Sequence, residues 1–552
     1  MFRKCHIFLL LFSIAGPIFA LSPGRELQRL TVRQKAAKTG AWRDSYWMKL
    51  LYYERTISGR ERSLSLNPLF FLAKWGNISP RLELEAAIDG LFFEGADEDS
   101  PECNFPERYL WLREKFNIPV SAFPPPRCKN FEDWKAGLDP ESVSLLFAAG
   151  YPEIPSTLYG NTLLRLHKRG AAGADLLDHA VDCTAAADAD RGFFSILKSI
   201  AGAYPGRFST LPYLKIREYR DTKNRDLWEF PLNLAPKEID RMLRHLWELK
   251  KASFPYLLFT RNCSWRLMQL LDIAKPELNL SPRFNSWVIP SDAAKAALSA
   301  VPAAAPVWRP SLWKTVGQHG KPERPPSLLE AHESLRLGAG LVSLKNGPAY
   351  EIQGRLAMQD LLDAPEGYLP DAAGETGSFR LRYEKRYNRL YMKEGRLARI
   401  ISLNPWDGRT RRRSWEISAG VEQAAETGRQ SGRSAIWAMN AGSGFAVEWR
   451  GPVRQLWYAM LQADSGFGPA LNANWRAGAG IKAGLLAEKG PVRALFEARY
   501  ISYAIGDTRP LWAGSAAASL RLARNSSARF EYSWRREVKE AGIYFHRFFF
   551  AP

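Results

Sequence analysis

From about residue 331 onwards the chain alternates apolar and polar side chains, and this alternation restricts the fold more than any other feature. Phe379-Arg-Leu381-Arg-Tyr383, Trp415-Glu-Ile417-Ser-Ala419-Gly-Val421 and Phe530-Glu-Tyr532-Ser-Trp534 repeat with the period of two that a strand with two unlike faces requires. Turn signals at Lys345-Asn346-Gly347, Glu488-Lys489-Gly490 and Arg524-Asn525-Ser526 divide the segment. The stretches between them are about ten residues long, enough for a tilted strand to cross a bilayer. About ten to twelve such stretches fit, a size suited to an even-stranded antiparallel barrel. Trp and Tyr gather near strand ends, as aromatic girdles require. The last residues, Phe548-Phe549-Phe550-Ala551-Pro552, resemble a closing strand of the kind that outer-membrane assembly reads. The competing arrangement is a soluble antiparallel sandwich with one wet face.

The other end of the chain favours the membrane. Arg3 and Lys4 precede an apolar run from Ile7 to Ala20. A basic start, a short apolar core and a small terminal residue describe a secretory signal peptide, with cleavage expected near Ala20. Cys5 lies inside this segment without a lipobox before it, so no lipoprotein is expected. No later stretch holds eighteen uninterrupted apolar residues, so no transmembrane helix is expected. The expected location is the periplasm and outer membrane. The formal net charge of +20 fits nucleic acid, an anionic membrane surface or acidic polysaccharide. The basic residues are dispersed and carry no nucleic-acid-binding signature, which ranks nucleic acid last and a lipid surface first.

A length of 552 residues exceeds one domain. Five parts are expected: a signal peptide (1–20), a helical N-terminal domain (21–135), an α+β domain (140–295), an Ala/Pro-rich linker (296–330) and the barrel (331–552). Trp42 to Tyr53 reads as an amphipathic helix. Ser79-Pro80 opens another, with Leu84, Ala87, Ile88 and Leu91 on one face and Glu83 and Glu85 near the positive end of its dipole. Ser142 to Ala149 and Asn161 to His167 read as strands; Pro236 to Ala252 and Ser264 to Ala274 read as helices.

Four cysteines remain beyond the export segment: Cys103, Cys128, Cys183 and Cys263. In an oxidising compartment a Cys103–Cys128 disulfide is favoured over two free thiols. Cys183 and Cys263 could pair with each other, or one could be a working thiol. Cys263 stands in Arg261-Asn262-Cys263-Ser264-Trp265 at a helix start. The helix dipole and Arg261 are expected to favour thiolate there, as for an activated nucleophile. A small buried residue at a helix start is the plainer alternative.

Together with Tyr159-Gly160-Asn161-Thr162, the Asn262-Cys263-Ser264 segment resembles the Lnb-type domain of the lipoprotein N-acyltransferases. Gly202-Ala-Tyr-Pro205-Gly206, Arg225-Asp226-Leu227-Trp228-Glu229, Trp247-Glu248-Leu249 and Trp287-Val288-Ile289-Pro290 match its style. The resemblance spans roughly 145–295. It implies a permuted papain-like thiol fold, a Cys–His pair that forms a thioester, and lipid or lipoprotein acyl groups as substrates. Members read Gly-His-Thr at the first motif; here the His position is Asn161, and an amide is no general base. His179 and Asp182, on the next expected strand, are the candidate substitutes or orienters. His167 would lie about 20 Å along the strand from Asn161, too far to serve the same thiol. Arg261 and Arg165 are candidate headgroup-binding residues. Two functions follow: a thiol acyltransferase or hydrolase with a rearranged base, or a non-enzymatic barrel protein whose soluble domain binds or plugs. Neither a metal nor another cofactor is expected, since no phosphate loop, His-Glu-x-x-His or CxxC pair occurs.

Overall fold

The computed structural model describes residues 23–92, 97–121, 123–150, 159–170, 175–185, 202–223, 225–284, 287–301, 304–312, 323–345, 347–406, 412–423, 435–536 and 538–550. The expected signal peptide with Cys5 lies outside them. The described chain forms two compact units, one running to Gly137 and including Asp240–Phe254, the other comprising Leu138–Ile239 and Pro255 onwards.

The first unit is mainly helical: α1 (Pro23–Thr39), α2 (Ser45–Leu50), the β1–β2 hairpin (Tyr53–Arg55, Glu61–Ser63), α3 (Pro80–Leu91), α4 (Pro101–Asn104), α5 (Pro106–Phe116) and α6 (Lys129–Leu138). Helix α3 starts as its sequence dictates: the Ser79 hydroxyl accepts the Leu82 N–H, and Leu84, Ala87, Ile88 and Leu91 are buried. The 42–53 segment is a shorter helix than expected. Asp44 caps α2, and Tyr52 takes a positive φ of 56° that turns the chain into β1. Glu83 does more than meet the α3 dipole. Its buried carboxylate accepts the Leu72 and Ala73 N–H groups and pairs with Arg108 at 3.3 Å.

Helix 236–252 of the sequence reading ends at Glu248 and tightens into a 3₁₀ turn, Leu249–Lys251. Its later turns belong to the first unit. There the Glu248 carboxylate accepts the Glu107 and Arg108 N–H groups at 2.8 and 2.9 Å, capping α5. The Arg108 guanidinium lies between Phe70 and Phe105, 4.2 and 4.1 Å from their centroids. Cys103 and Cys128 form a disulfide with their Cα atoms 5.1 Å apart.

In the second unit an antiparallel sheet comprises β3 (Pro140–Ala148), β4 (Asn161–Lys168), β5 (His179–Ala185), β6 (Pro205–Pro212), β7 (Leu227–Leu232), β8 (Phe254–Pro255) and β9 (Val307–Arg309). Their order is β8-β6-β5-β4-β3-β7-β9. Helix α7 (Tyr213–Lys223) packs through Tyr213 and Ile216 on Leu146, Leu163 and Ala180. After α8 (Pro236–Glu248) come α9 (Cys263–Ala274), which lies against β4 and β5, and α10 (Pro290–Ala300). The expected 296–330 linker is therefore partly structured. Helix α10 runs into it, and β9, flanked by Pro306 and Pro310, is an edge strand, where proline is tolerated.

Twelve antiparallel strands, from β10 (Leu335–Leu344) to β21 (Val538–Phe549), close into a barrel when β10 pairs with β21. Closure settles the sheet against a sandwich. Side chains alternate across the wall. On β16 (Arg454–Phe467), Leu456, Tyr458, Met460 and Asp464 are buried, while Trp457, Leu461 and Phe467 face out. The exterior is an apolar surface far larger than a soluble domain exposes. The interior carries paired charges, including Glu416 with Lys482 at 2.7 Å and Arg399 at 3.0 Å. The connection from β11 (Gly347–Gln359) to β12 (Ala372–Glu384) folds across the lumen. Asp363 binds Arg355 at 2.5 Å and Arg529 at 2.9 Å, Asp360 binds Arg529 at 2.7 Å, and Leu361 and Leu362 pack on Leu456, Tyr458 and Leu486.

The disulfide closes a loop of 25 residues in sequence separation. Cys103→Ser with Cys128→Ser is expected to destabilise the first unit by about 3 kcal/mol, read as a lower denaturant midpoint with unchanged barrel folding.

Candidate thiol site

The site forms where the start of β4 meets the start of α9. Gly160 turns the chain into β4 with φ +83°, and a Cβ there would meet the Phe147 ring at 2.7 Å, so the position requires glycine. Asn262 caps α9: its Oδ1 accepts the Trp265 N–H at 3.2 Å. Its amide nitrogen donates to the carbonyls of Leu258 at 3.0 Å and Val288 at 2.8 Å. Three bonds from one side chain thus fix the residue before the thiol. Thr162 donates its hydroxyl to Ser264 at 2.8 Å and ties strand to helix.

The Cys263 thiol donates to Asn161 Oδ1 at 2.9 Å. The sulfur also receives the Thr162 N–H and contacts the Tyr256 hydroxyl. The residue is buried, 6% exposed. Burial raises its pKa, the charge of Asp182 raises it further, and the hydrogen bonds from Ser264, Thr162 and Tyr256 oppose them without prevailing. Burial thus works against the thiolate expected from the helix start and Arg261. The Arg261 guanidinium lies over the Trp265 ring, 5.7 Å from its centroid.

Asp182 is brought to the site on β5, one residue beyond the Leu164–Val181 pair. It is buried, burial pushes its carboxyl up to about 6, and its Oδ1 has no hydrogen-bond partner among the described residues. His179 is not brought in. It pairs opposite Leu166, about 10 Å along the strand from Asp182, and burial pushes its pKa down. His167 binds Ser144 at 2.7 Å, Glu229 at 3.2 Å and Asp178 at 3.3 Å. Arg165 corrects its expected role in headgroup binding: 1% exposed, it pairs with Asp175, Asp178 and Glu229 and stacks on Tyr213. Of the described histidines, none hydrogen-bonds Cys263. Cys183 and Cys263 are both free, so the expected alternative of a bond between them is not realised. Tyr256 carries no motif and becomes visible only once the fold brings its hydroxyl to the Cys263 sulfur.

Residues 130–300 match the Lnb N-terminal periplasmic domain. The Lnb-type match contains both Asn161 and Cys263, so the amide occupies a position inside the matched domain. Domains of unknown function match on either side, DUF7843 over 41–115 and DUF7840 over 325–548. Solved structures similar to the chain include a KdgM porin in complex with disordered oligogalacturonate (7% identity, 39% of this chain, 99% of that one, TM-score 0.25). A NanC porin (7%, 39%, 100%, 0.24) and the Acinetobacter baumannii outer membrane protein Omp33 (10%, 40%, 100%, 0.22) are others. A comparison with curated proteins finds no match.

A protonated, buried thiol reacts slowly. Iodoacetamide is expected to alkylate Cys263 of the Lnb-type domain at least about tenfold more slowly than a free cysteine at pH 8. A plateau below pH 8, followed by peptide mass mapping, would contradict the geometry. The Asp182 carboxyl is raised in the folded state, so the fold holds its proton between about pH 4 and pH 6. Stability from this group is present below pH 4 and is lost as pH rises to about 6. Asp182→Asn is expected to flatten that part of the denaturation-midpoint profile.

Proposed function

We propose that this protein is an outer-membrane barrel that carries a catalytically silent Lnb-type domain on its periplasmic rim as a binding module. The observation that carries the reading is the 2.9 Å contact from the Cys263 thiol to Asn161. An amide holds the thiol proton and cannot remove it. The thiol domain joins the end of the barrel where β10 starts and β21 finishes. Tyr159 hydrogen-bonds Thr376 of β12 at 2.5 Å, and Lys295 donates to the His332 carbonyl at 2.7 Å. Asp292 accepts from Ser334. Tyr159, Phe259, Trp287 and Ile289 pack on Met358 and Tyr368. Because Tyr159 is two residues from Asn161, the strand that reaches the thiol is anchored on the barrel. An apolar exterior and a polar interior support membrane insertion. The loop across the lumen supports an anchor or closed channel rather than an open diffusion pore.

A second reading keeps catalysis: Cys263 attacks an acyl lipid or lipoprotein ester, with Asp182 as a rearranged base. Its one support is the buried carboxylate with an unpartnered oxygen. The two readings separate in cells. On the silent reading, Cys263→Ala leaves the acyl state of envelope lipoproteins unchanged by mass spectrometry; a shifted lipid profile would favour the enzyme. In planar bilayers the purified chain is expected to give no steady current, whereas Asp360→Ala with Asp363→Ala frees the lumen loop and opens measurable conductance. A steady wild-type current would contradict the sealed lumen.

A further inference from the structure

The first unit exposes a group of apolar side chains that its own core does not use. Leu66, Leu69, Trp75, Ile78 and Leu82 all face out, Leu69 at 70% and Trp75 at 56% exposure. Ile57, at the tip of the β1–β2 hairpin, is fully exposed. Hydrogen bonds hold together the segments that carry these residues. The Tyr53 hydroxyl donates to the Gly76 carbonyl, and the Ser63 N–H donates to the Asn77 carbonyl at 2.8 Å, so both hairpin strands are fastened to the 74–78 turn. That turn is closed by the Ile78 N–H on the Trp75 carbonyl at 3.1 Å. It is held to α3 through Glu83, which accepts from Leu72 and Ala73.

Basic side chains outnumber acidic ones around this surface, and one of them, Arg81, also pairs with Glu85 at 2.9 Å. Between residues 55 and 82 the chain carries Arg55, Arg60, Arg62, Lys74 and Arg81 against a single acid, Glu61. Lys74 lies over the Trp75 ring at 5.6 Å, and Arg81 over Trp42 at 5.2 Å. An indole with a cation beside it, next to aliphatic tips, is the composition that settles at the boundary between headgroups and acyl chains. A protein partner would more often be met by a compact apolar core with a mixed polar rim. Separate aliphatic tips in a basic field suit a fluid anionic surface instead.

We infer that the surface formed by Ile57, Leu69, Trp75 and Ile78, with its basic rim, docks on the anionic headgroup layer of a membrane. Insertion of the tips removes apolar area from water, and each basic residue near the surface adds attraction to anionic lipid. The inference concerns the first unit alone and extends the proposed function: the chain has a second membrane contact besides its barrel.

The test uses the full chain in nanodiscs of phosphatidylcholine and phosphatidylglycerol that contain a doxyl-labelled lipid. A fluorophore is placed on Ile57→Cys or Trp75→Cys. Leu461→Cys on the barrel exterior reports lipid contact, and Lys129→Cys, whose side chain is 80% exposed, reports water. Doxyl quenching at 57 and 75 is expected to exceed that at 129 at least threefold and to fall at least twofold in discs of phosphatidylcholine alone. Quenching no greater than at 129 overturns the inference. Iodide then separates an open surface, which it reaches, from one covered by another part of the chain. If 461 also escapes the lipid quencher, the barrel assignment itself fails. The same labels in detergent, with the heat-dependent gel migration of the barrel, show that each variant is folded.

Discussion

Pairing of β10 with β21 leaves the sheet without an edge, and the rest of the architecture depends on it. A bilayer offers no partner for a bare backbone N–H or carbonyl, so only a closed sheet can cross it with strands. Closure turns alternate side chains inward, which is why acids and bases such as Glu416, Arg399 and Lys482 meet inside rather than face lipid. The same inward charges hold the loop after β11. Asp360 and Asp363 are gripped by Arg336, Arg355 and Arg529, each from a wall strand. Removing one partner from such a buried set costs several kcal/mol, about 3–5, because the remaining charges stay buried.

The rim then positions the thiol domain. Tyr159 is fixed on Thr376, Gly160 makes the turn, and Asn161 begins the strand that meets Cys263. The helix dipole alone would favour a thiolate at the α9 start. It is outweighed by burial and by the Asp182 charge, while the thiol donates to an amide oxygen. The arrangement holds the thiol between a capped helix, a clamped loop and an adjoining strand, and among the described residues no histidine hydrogen-bonds it.

Much of this was legible from sequence because it rests on local pattern. The period of two identified the barrel, Ser79-Pro80 identified the α3 start, and Asn262-Cys263-Ser264 identified the thiol helix. What the sequence left hidden depends on long-range contacts. Trp42–Tyr53 has helical amphipathicity, but Tyr52 leaves the helix to meet the Phe254 ring edge-on and bond His245, residues about two hundred positions away. Arg165 has the look of a headgroup ligand on a strand, and only the fold shows three carboxylates converging on it. The Ala/Pro-rich segment reads as a linker, because a three-residue edge strand such as β9 is too short to produce a periodic signal. The lumen loop likewise has no motif; its Asp-Leu-Leu-Asp pattern gains meaning only from the arginines opposite it.

The central claim is that Asn161 leaves Cys263 without a base. It is tested most directly by incubating the purified chain with an excess of a short-chain acyl p-nitrophenyl ester and measuring intact mass. A competent thiolate would attack the carbonyl, expel p-nitrophenolate and retain the acyl group as a thioester. The account predicts no acyl adduct on the wild-type chain at neutral pH, and an adduct on Asn161→His that disappears when Cys263→Ala is added. A wild-type adduct mapped to Cys263 would contradict it.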